Sequence, residues 1–134
     1  MRLIGTAGTL FIVATLLGIR MAAALDDGPI DRQLLRLDPQ TRLEQTCDTE
    51  VLRAINHSEA DFTVDKVIAY TFDDTIMGEN DISAPGAAFR SRGSWYQLSY
   101  DCITGPRHLN AHTLHYAIGK RIPKEQWQDH QLYD

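Results

Sequence analysis

Only two cysteines occur among 134 residues, basic charge is in deficit, and long uncharged apolar runs are limited to one. There is no GxSxG, HExxH, P-loop or GxGxxG motif, so no sequence signature marks a nucleophile elbow, a helix-borne zinc pair or a glycine-rich phosphate cradle. No cofactor is expected. Internal repeats, low-complexity tracts and linkers are missing as well, which leaves one small domain. A formal charge of −5 offers no electrostatic footprint for nucleic acid or an anionic membrane. At 43% apolar and 23% charged, the chain is nevertheless too apolar for intrinsic disorder.

The one apolar run is N-terminal. Arg2 precedes 17 uncharged residues, Leu3 to Ile19, and Ala22-Ala23-Ala24 then supplies small residues suited to cleavage before Leu25. A retained anchor is the competing reading, but the run falls short of the ~20 residues a spanning helix needs. Arg20, on the far side of the run, opposes translocation. Residues 1–24 therefore read as a signal peptide, and a membrane contact is expected only through that segment if it stays uncleaved. Its removal takes away two arginines and no acid, leaving 11 basic against 18 acidic residues, a charge of −7. In an exported chain, the even pair Cys47 and Cys102 reads as one disulfide.

Residues 25–37 read as a flexible leader, and 38–134 as a single α+β domain. Asp38-Pro39 is a helix start, with a capping carboxylate followed by a preorganised first residue. From there Leu43, Cys47, Val51, Ala54 and Ile55 mark one face of a helix over about Asp38 to Asn56. Strand character follows in Val64 to Phe72, and Asp73 to Asp81 is an acidic loop. Ile82 to Arg90 is a weak strand, interrupted by Pro85-Gly86 or beginning after it. Trp95 to Thr104 alternates, with Tyr96, Leu98, Tyr100 and Cys102 on one face, and Leu109 to Gly119 alternates likewise. A three-residue loop Gly105-Pro106-Arg107 would set Leu98 opposite Leu114, Tyr96 opposite Tyr116 and Tyr100 opposite His112, apolar against apolar. A short helix around Lys124 to Gln128 presents Trp127. The expected fold is thus one main helix packed on a three- or four-stranded antiparallel sheet, stapled by Cys47–Cys102, with a short C-terminal helix.

His108, His112 and His115 carry HxxxHxxH spacing, but strand alternation turns His115 away from the other two, and no metal site is assigned. Asp73, Asp74, Glu79, Asn80 and Asp81 miss the spacing of a calcium loop. The constellation above background is aromatic and cationic: Phe89, Arg90, Arg92, Trp95 and Tyr96. With Gln97, and with His115 set across from Gln97 by the three-residue loop, Arg90, Arg92 and Trp95 form a candidate ligand-binding face, able to stack on a glycan or hold an acidic peptide. The alternative is that Trp95 packs under the C-terminal segment with Trp127, and that the arginines pair with acidic neighbours.

The segments LDPQTRLEQTCD at 37–48, GAAFRSRGSWYQLSYDC at 86–102, GPRHL at 105–109 and IGKRIPKEQW at 118–127 resemble the DUF930 family, small exported proteins of alphaproteobacteria. The resemblance implies an envelope or periplasmic setting and names no enzyme, ligand or site residue. The expected function is that of a non-catalytic periplasmic or cell-envelope protein that binds or supports an envelope component, with an envelope glycan or protein as partner. The alternatives are a small periplasmic envelope hydrolase, using His112 or His115 with an acid from Asp73 to Asp81, and a metal-binding periplasmic protein using the histidines. N-terminal sequencing of the native protein should return Leu25 or a residue close to it; Met1 would refute export by cleavage.

Overall fold

The computed structural model describes residues 27–134, so the signal segment expected at 1–24 lies outside the described residues. Helix α1, Pro29–Leu34, is followed by α2, Pro39–Ser58. Strands β1, Val64–Ile68, β2, Ile76–Met77, β3, Asp81–Ser91, β4, Ser94–Thr104, and β5, Ala111–Arg121, form one antiparallel sheet in the order β1-β3-β4-β5, with β2 also on β3. The sheet therefore has five strands rather than three or four. The additional one is the two-residue β2, within the stretch expected as an acidic loop.

The main helix starts as its sequence dictates. The Asp38 carboxylate accepts a hydrogen bond from the Thr41 amide at 3.1 Å, and Pro39 opens the first turn. The helix runs two residues past the expected Asn56. Its stripe Leu43, Cys47, Val51 and Ile55 is fully covered by the sheet face bearing Ile82, Ala84, Ala87, Phe89, Leu98, Tyr100 and Cys102. Cys47 and Cys102 are joined, their Cα atoms 6.0 Å apart. The expected flexible leader holds α1, which Arg42 ties to the main helix by donating to the carbonyls of Leu34 and Leu37.

Three local features differ from expectation. Strand β3 is not broken at Pro85-Gly86: it passes through them as a bulge between Ala84 and Ala87. That extra residue changes parity, so Ile82 and Ala84 before it and Ala87 and Phe89 after it all face α2. A Cβ on Gly86 would lie 2.3 Å from the Asp73 backbone nitrogen, so glycine alone permits this approach. In the β4–β5 pair, Leu98 faces Ile118, Tyr100 faces Tyr116 and Cys102 faces Leu114. The faces agree with the expectation, but β5 is displaced by four residues along β4. The connection extends from Gly105 to Asn110, three residues more than expected, because His108 and Leu109 are buried in it instead of prolonging the strand, and a register irregularity between Ile103 and Thr104 adds the fourth residue and restores the faces. The His108 ring nitrogens face oxygens only, the Pro39 and Glu79 carbonyls at 2.8 Å each and Asn80 Oδ1 at 3.0 Å. This ring thus ties the start of α2 to the β2–β3 turn. Last, the expected C-terminal helix is a pair of 3₁₀ turns, Lys124–Gln126 and Gln128–His130.

The second sheet face is covered in part by that C-terminal segment. Trp95, Ala88, Ile122, Trp127 and Leu132 make a second buried cluster there. The Trp95 indole donates to the Tyr133 carbonyl at 2.8 Å, and the Trp127 indole to the Ile122 carbonyl at 3.0 Å.

Cys47→Ala is expected to destabilise the protein by ~2–5 kcal/mol in urea unfolding, since closing a long loop is worth ~4 kcal/mol in the chain-entropy model. Thiol titration of unreduced protein should find none free, and two free thiols would refute the bridge.

Candidate functional site

Strand β1 ends the sheet on one side, and its second edge has no strand partner among the described residues. Two structures overhang it. On one side stands α2, presenting Glu44, Asp48 and Leu52 at helical spacing with Gln45 and Thr49 beside them; on the other lies the C-terminal segment Asp129 to Gln131 with Tyr133. Between them runs a groove of about 620 Å³ along Asp65 to Ile68, continuing past Tyr70 and Thr71.

The distinctive group in this groove is Asp48. It is 9% exposed, and the Tyr100 hydroxyl donates to its Oδ1 at 2.7 Å. Its other oxygen accepts no hydrogen bond from a described residue, and no buried side-chain polar atom of the described residues lacks a partner, so that oxygen keeps contact with the groove. Burial pushes the Asp48 carboxyl up to about 7; the Tyr100 hydrogen bond opposes this rise and the neighbouring Glu44 charge adds to it. Glu44 itself is raised by burial. Tyr100 is held firmly protonated, first by burial and then by the Asp48 charge.

Of the other charges along the groove, Asp129 has no charged partner among the described residues, and those on β1 are committed. Arg90 Nε and Nη2 donate to the two Asp65 carboxylate oxygens at 2.9 and 3.0 Å, and this bidentate pair holds Asp65 below the usual carboxylate range. Lys66 donates to the Tyr133 hydroxyl and sits 4.7 Å from the centre of that ring. His130 packs on Phe72 with ring centres 4.4 Å apart.

The residues singled out from the sequence do not assemble into one surface. Trp95 is fully buried under the C-terminal segment and closed to a ligand in this structure. Arg90 pairs with Asp65 and lies 5.7 Å from the Trp95 ring centre, and Arg92 occupies the two-residue hairpin tip with Gly93, both at positive φ. Gln97 and His115 are exposed, but the register sets His115 opposite Asp101 and Gln97 opposite Ala88. Neither His112 nor His115 hydrogen-bonds to an acid of Asp73 to Asp81, and no cluster of three or more His, Cys, Asp or Glu that could hold a metal occurs among the described residues. Sequence reasoning missed Glu44, Asp48 and Tyr100. A signal was there: a tyrosine on an inward-facing stripe needs an acceptor for its hydroxyl, and Asp48 follows the disulfide cysteine.

Because the folded chain holds a proton on Asp48 that the unfolded chain, at the ordinary value of 3.8, has released, Asp48 stabilises the fold fully below pH ~4. That contribution falls as pH rises through about 7. In urea unfolding, Asp48→Asn should match the native protein near pH ~3.5 and exceed it by ~2–4 kcal/mol at pH 8, from ~1.4 kcal/mol per unit of pKa. A difference that does not vary with pH would show Asp48 to be ionised throughout.

No curated protein and no solved structure matches the chain. One family model does, over residues 34–132, from the last residue of α1 to Leu132, including every groove residue named above except Tyr133. The chain therefore belongs to the family described as Domain of Unknown Function (DUF930).

Proposed function

We propose that this chain is a non-catalytic, exported cell-envelope protein that binds an envelope component in the groove between α2, β1 and the C-terminal segment. The observation that carries the reading is the Asp48 carboxyl, nine-tenths buried and fixed by Tyr100, yet keeping one oxygen toward a groove of about 620 Å³. Burying a carboxyl is costly unless its lone pairs are used, and a ligand donor would use the oxygen that Tyr100 leaves. The Cys47–Cys102 bond suits an oxidising compartment such as the periplasm. No helix among the described residues is long and apolar enough to cross a membrane.

One observation favours a second reading, an envelope hydrolase. A carboxyl held protonated up to about 7 beside a second carboxyl is what general acid–base chemistry uses. The acids would then be Asp48 and Glu44 rather than His112 or His115 with the Asp73 to Asp81 loop.

Gln45 is exposed on the groove wall, so Gln45→Trp should fill the groove without touching the core. Native protein is expected to co-sediment with purified envelope fragments, and Gln45→Trp to lose at least tenfold of that retention at unchanged thermal stability. Equal retention would overturn the groove as the binding site. Soluble fragments released by the native protein but not by Asp48→Asn would replace the binding reading with the hydrolase.

A further inference from the structure

We infer that the free edge of β1 accepts an extended basic peptide, which adds a strand to the sheet and lays a lysine or arginine side chain against Asp48 and Glu44. This rests on the groove being a binding site, and it names the occupant.

The backbone supplies the first argument. Strand β1 is the last of the main sheet on its side, and Asp65 to Ile68 line the groove. An edge strand presents a row of unpaired N–H and C=O groups, which an extended chain can pair. At Val64 the backbone is already taken, its amide donating to Asn56 Oδ1 at 2.6 Å and its carbonyl accepting from Asn56 Nδ2 at 2.9 Å. A partner strand alongside the remaining four residues, Asp65 to Ile68, would be ~13 Å long, at ~3.3 Å per residue.

The walls supply the second. Strand β1 is recessed between α2 and the C-terminal segment. The β1 edge of a second copy is recessed in the same way, so two such edges cannot meet before their walls collide, whereas a single extended strand can enter.

Charge supplies the third. The charged and titratable groups facing Asp48 and its groove are Glu44 from α2, Tyr100 from β4, Asp65 and Lys66 from β1, Tyr70 from the segment after it, and Asp129, His130 and Tyr133 from the C-terminal segment. Asp65 is held by Arg90, and Lys66 is turned to Tyr133. The carboxylates left over are Glu44, Asp48 and Asp129, on a chain of net charge −5. A cationic side chain entering there displaces a proton from Asp48, whose carboxyl lies at about 7 in the free protein. Affinity should therefore rise with pH across that value.

The test uses the full mature chain and four probes: a blocked hexapeptide alternating Lys and Val, the same peptide N-methylated at alternate amides, a Glu–Val counterpart, and a glucosamine tetrasaccharide carrying similar positive charge without a peptide backbone. The Lys–Val peptide is expected to slow amide hydrogen exchange in Asp65 to Ile68 and to bind at least tenfold more tightly than the other three. Its affinity should be about tenfold higher at pH 8 than at pH 5.5, because an ionised carboxylate is the binding form. Asp48→Asn, with its fold checked by circular dichroism, should lose about tenfold in affinity and the pH dependence with it. Equal binding by the N-methylated peptide, equal binding by the tetrasaccharide, or absent protection of β1 would each overturn the peptide assignment. If Gln45→Trp still abolishes envelope retention in that case, the groove stands and only its occupant is refuted.

Discussion

The covalent tie between Cys47 and Cys102 fixes where the main helix sits, and the groove depends on that placement. Cys47 lies in the middle of the buried stripe of α2, and Cys102 lies on β4, two residues beyond Tyr100 on the same face. Pinning those two points brings Asp48, the next residue of the helix, within reach of the Tyr100 hydroxyl. One turn further, Leu52 packs against the same core, and one turn back Glu44 joins the groove wall. The Thr46 hydroxyl donates to the His108 carbonyl at 2.6 Å and so prevents rotation about the cross-link. A helix held this way keeps a buried carboxyl at a fixed place in the groove instead of letting it turn to bulk water.

A second constraint acts from inside the sheet. Without the bulge at Pro85-Gly86, β3 would change faces at its midpoint, and Phe89 would leave the α2 side while Ala88 and Arg90 entered it. With it, small residues Ala84 and Ala87 lie under the helix and leave room for Tyr100. Ala88 and Arg90 go to the far face, beside Trp95. The far face thereby becomes apolar enough to hold Ile122, Trp127 and Leu132. The Arg90 and Trp95 pair thus acts by anchoring: Trp95 holds the Tyr133 carbonyl, the Arg90 guanidinium lies 5.8 Å from the Tyr133 ring centre, and together they secure one wall of the groove.

Much of this architecture was legible in the sequence because it depends on period. The spacing from Leu43 to Ile55 defined the helix, and the alternation from Tyr96 to Cys102 defined the inward face of β4. The disulfide followed from two cysteines placed on those two patterns. The β5 register was not legible, because parity fixes only the face, and loop length depended on the burial of His108 and Leu109 within the connection. The groove was hidden for a related reason. Glu44 and Asp48 fall off the apolar stripe and read as solvated helix surface until the edge strand and the C-terminal segment close around them. Trp95 carried two readings in the sequence, and only the tertiary position of a segment some 30 residues later separates them.

The two ends of the sheet handle unpaired backbone differently. Strand β5 runs 11 residues, leaves most of its side chains exposed or half-buried, and ends in Lys120 and Arg121. Charges at a strand end disfavour edge-to-edge pairing with another chain. At the opposite end, β1 has charged residues too, but Asp65 and Lys66 are drawn into contacts with Arg90 and Tyr133 and do not guard the edge. Protection there comes from the walls, which exclude flat partners by shape. An edge guarded by charge repels all strands alike, whereas an edge guarded by a slot admits one strand and can be selective through the groups on its sides. With Asp48 and Glu44 on the helix side, the selectivity of this slot is for positive charge.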